Sequence, residues 1–120
     1  MTRNRASAKA AGARFERVIA DYLANELDEF IDRKVRRGRL DCGDIGGVRV
    51  RKQRLVVEVK DCARTDLPGW VREAQTEAAN DGAVAGVVVS KRHGVGDPSQ
   101  QWVHLTVGDL VAILKAARDV

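Results

Sequence analysis

The sequence predicts an α/β fold in which helices flank a mixed β-sheet, with the element order α-β-β-β-α-β-β-α. Three observations predict it. Phe15, Val18, Ile19, Tyr22, Leu23, Leu27 and Phe30 fall on one stripe of a helix. Two β-branched runs, Leu55-Val56-Val57-Glu58-Val59 and the stretch ending at Ser90, are separated by a helical segment, as in a strand-helix-strand unit. A last amphipathic stretch with Leu110, Val111, Ile113 and Leu114 closes the chain.

The first helix is expected over about residues 7–29, the span of the apolar stripe. Residues 33–37 read as a short strand, and Gly38, Gly43, Gly46 and Gly47 make the next passage rich in turns. Residues 48–51 and 54–60 form a hairpin around Lys52-Gln53, and the second of its strands is apolar almost throughout, as in a strand covered on both faces. Pro68 can open a helix at its first turn, and Asn80-Asp81-Gly82 ends it. Its apolar face, Trp70, Val71, Ala74, Ala78 and Ala79, is mostly small, so its packing must be close. Strands over residues 83–90 and 102–106 enclose a polar loop, and the last helix covers residues 107–118. No internal repeat, low-complexity segment or linker interrupts this order.

At 120 residues, 44% hydrophobic and 32% charged, the chain is read as a single domain, 1–120, with residues 1–8 flexible. No apolar run reaches the roughly 18 residues of a bilayer span, and the amino terminus lacks a secretory signal. A cytoplasmic location, in a bacterial cell or phage-infected host, is the expectation. Cys42 and Cys62 make no disulfide framework, and with His93 and His104 they lack paired zinc-ligand spacing. Both histidines are expected at the surface.

The net charge is +4, and its distribution matters more than its size. Arg33, Lys34, Arg36, Arg37, Arg39, Arg49, Arg51, Lys52 and Arg54 lie in one stretch with only Asp41 and Asp44 opposing them. Such clustering suits a DNA phosphate backbone, where each neutralised phosphate releases counterions. A solvated hairpin edge protected by charge would carry the same residues.

The chemistry is concentrated in Asp44-Ile-Gly-Gly and Glu58-Val59-Lys60. Strand side chains alternate, so Glu58 and Lys60 share one face while Val57 and Val59 take the other. Charges inside a central strand are costly unless paired, hydrated or bound to an ion. If Asp44 ends the neighbouring strand, its carboxylate approaches Glu58, and a divalent cation between them reverses the sign of the local field. Mg²⁺ suits such hard oxygen ligands, with Mn²⁺ as a substitute. A turn cap at Asp44 and a solvated face at Glu58 and Lys60 are the alternatives.

Asp44 followed by Glu58-Val59-Lys60, after a helix containing Glu16 and before a helix containing Gln75, resembles the PD-(D/E)xK nuclease superfamily. Within it the chain is similar to small Holliday junction resolvases and their phage-type relatives. The resemblance covers residues 11–107 and implies a restriction-endonuclease-like core. It implies that Asp44, Glu58, Glu16 and the Val59 carbonyl hold the metal, that Lys60 orients the attacking water, and that Gln75 steadies the lysine or a metal-bound water. Gly43 stands where the family pattern has proline.

The expected activity is therefore that of a Mg²⁺-dependent endodeoxyribonuclease on branched DNA, a Holliday junction resolvase of recombination and repair. Exonuclease or flap-cleaving work, or a DNA-binding module without catalysis, are the competing readings. A junction offers two equivalent strands, so a homodimer is expected, with Trp70, Trp102, Leu110 and Leu114 as interface anchors.

Overall fold

A computed structural model describes residues 4–34 and 43–118. Arg36, Arg37, Arg39, Asp41 and Cys42 lie outside them, as do Met1–Arg3 of the segment expected to be flexible. The elements run α1 (Arg5–Glu26), β1 (Asp32–Arg33), β2 (Ile45–Gly46), β3 (Arg49–Val50), β4 (Gln53–Lys60), α2 (Leu67–Asp81), β5 (Ala85–Ser90), a 3₁₀ turn (Pro98–Gln100), β6 (Trp102–His104) and α3 (Val107–Arg118).

Helix α1 starts earlier than the stripe implies because Asn4 and Ser7 form a reciprocal capping box, each side chain accepting from the other's backbone N–H. It also ends earlier. Beyond Glu26 the chain leaves helical geometry, and the Asp28 side chain accepts from the Phe30 N–H. Leu27 and Phe30, expected on the buried stripe, are exposed, and Ile31 enters the core in their place.

The sheet order is β1-β2-β4-β5-β6, with β3 pairing back onto β4. The β4–β5 pair is parallel, joined through α2, and the other pairs are antiparallel. The sheet is therefore mixed and helix-flanked. Strand β2 falls in the glycine passage read only as turns, so the order gains one strand over the expected one.

Strand β4 divides the molecule. Val57 and Val59 join Phe15 and Ile19 of α1 and Val87 and Val89 of β5 in the main core, against which Ile113 of α3 packs. Val56 and Val88, also buried, alternate to the opposite face with Gly86, where Ala74 of α2 meets the sheet. Among the described residues no helix is long and apolar enough to cross a membrane.

Candidate metal centre

The centre is built by the closeness of α2 to the sheet. A Cβ on Gly86 would collide with the Ala74 carbonyl oxygen, so the helix rides on bare backbone. Ala74 and Ala78, one turn apart, are both buried. Glu73 and Glu77 precede them by one residue each and form the adjacent stripe of the helix. The small contact residues thus let two carboxylates reach strand β4.

On the sheet side, Ile45 pairs with Val57 in the antiparallel β2–β4 ladder. Continuing that register by one residue sets Asp44 opposite Glu58, and directly opposed residues share a face. The Asp44 N–H donates to the Val57 carbonyl, and the Asp44 carboxylate accepts from the Val59 N–H at 2.7 Å. Gly43 turns the chain into this position with φ +98°, a conformation open to glycine and closed to proline.

Asp44 is 3% exposed and Glu58 1%. Burial, the hydrogen bond that the protonated Glu58 carboxyl donates to Glu77, and the charge of Asp44 push the Glu58 carboxyl up to about 11. Oε1 of Glu58 is buried and receives no hydrogen bond. One ligand oxygen from each of Glu58, Glu73 and Glu77 can be chosen so that all lie within 4.8 Å of one another. Lys60 completes the group, its Nζ 3.1 Å from Glu73 Oε2 and 4.0 Å from Glu58 Oε2. Desolvation pulls the lysine pKa down, but the hydrogen bond to Glu73 and the charges of Glu73, Glu58 and Asp44 outweigh it, and the value is raised. Four carboxyl groups around one ammonium leave the centre short of positive charge. An all-oxygen set with a buried acceptor that receives no hydrogen bond fits a hard divalent cation. Glu73, 46% exposed in its side chain, leaves the centre open to solvent on one side.

The structure brings Asp44, Glu58 and Lys60 together. Glu16 does not join the carboxylates around Glu58. It lies on α1, across the sheet from α2, and accepts from Arg33 Nε at 3.2 Å. With Lys60 and Arg33 it lines a cleft of about 910 Å³ at the end of β4. Val59 points its side chain into the core and gives its N–H to Asp44. Gln75 is displaced. Two residues from Glu73 is about 200° around a helix, and its amide donates to Asp109 of α3 instead.

The basic residues divide. Arg33 and Lys34 line the cleft with Lys60. Arg51 donates to the Ala117 carbonyl at the end of α3, and Arg54 binds Asp81 at the end of α2. These two satisfy helix carboxyl ends, and six residues of strand place Arg54 about 20 Å from Lys60. Arg49 and Lys52 are exposed on the same hairpin. The hairpin arginines Arg51 and Arg54 are therefore not beside the acidic centre. His104 also departs from expectation: it is half-buried, bonded to Ser90 at 2.7 Å, and its pKa is lowered by burial. His93 is exposed.

Glu73 and Glu77 are the residues that sequence reading missed. Their i, i+4 spacing beside the Ala74–Ala78 pair was the available signal, since it puts both on the flank of the contact face. Comparison with known protein families, curated proteins and solved structures finds no match.

Proposed function

We propose that this chain is a Mg²⁺-dependent endonuclease on a restriction-endonuclease-like core, hydrolysing phosphodiester bonds in branched DNA, with the four-way junction as its preferred substrate. The observation that carries the reading is the buried Glu58, with Oε1 free of hydrogen bonds, set among Asp44, Glu73, Glu77 and Lys60 on one face of a central strand. Carboxyl groups crowded in this way are costly to ionise together unless an ion joins them.

Glu58, Glu77 and Glu73 would hold the cation, with Asp44 adding negative charge beside them. When bound, Mg²⁺ polarises the scissile phosphoryl group and acidifies a coordinated water. Lys60 supplies a compact positive charge at the solvent side of the carboxylates, suited to orienting a water or balancing charge on the phosphate. Arg33 and Lys34 line the neighbouring cleft and would hold the flanking phosphates. Asp44 fixes the end of β4 through the Val59 N–H and so keeps Glu58 and Lys60 in register.

The exposed Leu110, Val111 and Leu114 of α3 support pairing of two copies, which would give a two-fold junction two sites. The deciding experiment incubates the purified protein with labelled junction, flap, duplex and single-stranded DNA, with and without Mg²⁺ or Mn²⁺. Metal-dependent paired cuts in the junction are expected. Cutting only at flaps or ends moves the assignment to those substrates, and binding without cutting in either metal removes the catalytic reading.

A further inference from the structure

A second cavity, of about 300 Å³, opens on the α2 side of the sheet, bounded by the end of β4, the start of α2 and strand β6. Its walls are aromatic. Trp70 stands with its ring centroid 6.4 Å from that of His104, and Trp102 is 49% exposed at the rim with the Arg92 guanidinium 4.6 Å from its ring centroid. Its floor is polar, formed by the buried Ser90 hydroxyl bonded to His104. Lys60 is shared between this cavity and the cleft beside Glu16, so the cavity adjoins the acidic centre.

We infer that this cavity is a subsite for one unpaired nucleotide, its base stacked against Trp102 and Trp70 and its phosphate directed toward Lys60. The inference rests on the nuclease reading for the identity of the ligand as nucleic acid. Volume selects the ligand form: about 300 Å³ is at the lower end of small-ligand sites, enough for a single nucleotide and closed to a duplex. The chemistry selects the class. Stacking on tryptophan uses the π-face that every base has, and the arginine on the indole adds positive charge where a strand backbone would pass. Ser90 and His104 offer donor and acceptor atoms to a base edge at the floor. A branch point or strand end supplies such an unpaired nucleotide next to the bond to be cut.

Both tryptophans of the chain line this cavity, so tryptophan fluorescence, excited selectively over the single tyrosine, Tyr22, reports on it. The test titrates the full chain, in EDTA, with a five-nucleotide single strand, the same strand with abasic sugars throughout, and a blunt duplex. Saturable quenching by the single strand is expected, with little from the abasic strand or the duplex. Trp102→Leu, read through Trp70, is expected to raise the single-strand Kd about tenfold, within the range of one base stack, and to leave duplex affinity within about twofold. Trp102→Phe keeps an aromatic face and should recover most of the affinity, which separates stacking from misfolding. Equal quenching by the abasic strand, equal loss toward duplex and single strand, or no quenching at all overturns the subsite. Cleavage with Mg²⁺ is read separately. Quenching without cleavage keeps the subsite and removes the nuclease reading, whereas cleavage without quenching does the reverse.

Discussion

The carboxyl groups of Glu58 on the central strand and Glu77 on α2 are hydrogen-bonded to each other in the interior. Two ionised carboxylates cannot share a hydrogen bond, so the pair holds a proton at neutral pH in the metal-free protein. A divalent cation can take the place of that proton.

Stability of the metal-free protein should therefore fall with rising pH. Folded Glu58 titrates at about 11 against an ordinary value of 4.5, so between those limits the folded state keeps a proton that the unfolded state releases. The unfolded state then binds fewer protons, and stability is lost as pH rises, by at most about 1.4 kcal/mol per pH unit. Glu58→Gln, neutral at every pH, should raise the Tm in EDTA at pH 8 by about 4 °C or more and by less at pH 5. Identical melting of the two proteins at pH 8 would exclude a buried ionisable Glu58.

Cation binding should appear as thermal stabilisation independent of DNA. Mg²⁺ at ten times its Kd adds about 1.4 kcal/mol, and the resulting Tm shift should vanish in Glu58→Gln and Glu77→Gln and shrink in Glu73→Gln. Glu16→Gln should keep it, because Glu16 pairs with Arg33 on the other side of the sheet. A shift lost in Glu16→Gln and kept in Glu77→Gln would place the ion on the α1 side.

Cleavage should follow the same residues. Asp44→Asn, Glu58→Gln and Lys60→Ala should each leave less than about a tenth of the rate with junction binding largely intact. Lys60→Ala should bind the cation no worse, since a neighbouring positive charge is gone. Gln75→Ala should cut normally. Single-turnover rates and gel-shift affinities on one labelled junction separate these effects.

What was legible beforehand follows a physical pattern. The 2-residue period of β4 fixed the shared face of Glu58 and Lys60, and the apolar run fixed its central place, so both survive in the structure. Strand β2 was hidden because two residues, Ile45 and Gly46, carry no period and sit among glycines. Gln75 is the position that the resemblance implies, and a motif match carries no helical angle. The 100° step per residue decides which of Glu73, Gln75 and Glu77 faces the strand, and it depends on where Ala74 meets Gly86, a tertiary contact. Arg51 and Arg54 read as a phosphate grip because the helix ends that they bind lie 66 and 27 residues away along the chain.

That division of the arginines has its own consequence. Replacing Arg33 and Lys34 by glutamine should flatten the slope of log affinity against log salt by up to about two, one per lost phosphate contact. The expectation for Arg36 and Arg37 is the same. Arg54→Gln should lower the Tm through its lost bond to Asp81 and change the slope little. A slope altered by Arg54→Gln as much as by the Arg33 and Lys34 pair would restore the hairpin to the DNA surface.

Gly43 gives the sharpest test of how the acidic centre is positioned, because the nuclease motif proposed for this chain has proline there and this backbone excludes it. Its φ is +98°, whereas the proline ring fixes φ near −65°. A Cβ at this position would stand 3.0 Å from Val56 Cγ1 and 3.2 Å from the Val57 carbonyl oxygen, so the site is tight as well as left-handed. Directly after it, Asp44 is held on both sides, donating to Val57 and accepting at its carbonyl from the Lys34 N–H at 2.8 Å. Gly43→Ala should destabilise by about 1–2 kcal/mol, the penalty of left-handed geometry in an L-residue. Gly43→Pro should destabilise more and lower cleavage further than its stability loss explains, by moving Asp44 away from the Val59 N–H. Thermal melts with single-turnover rates, taken well below the Tm of each variant, resolve the two effects. A Gly43→Pro protein that melts and cuts like the parent would mean that Asp44 does not depend on the left-handed turn.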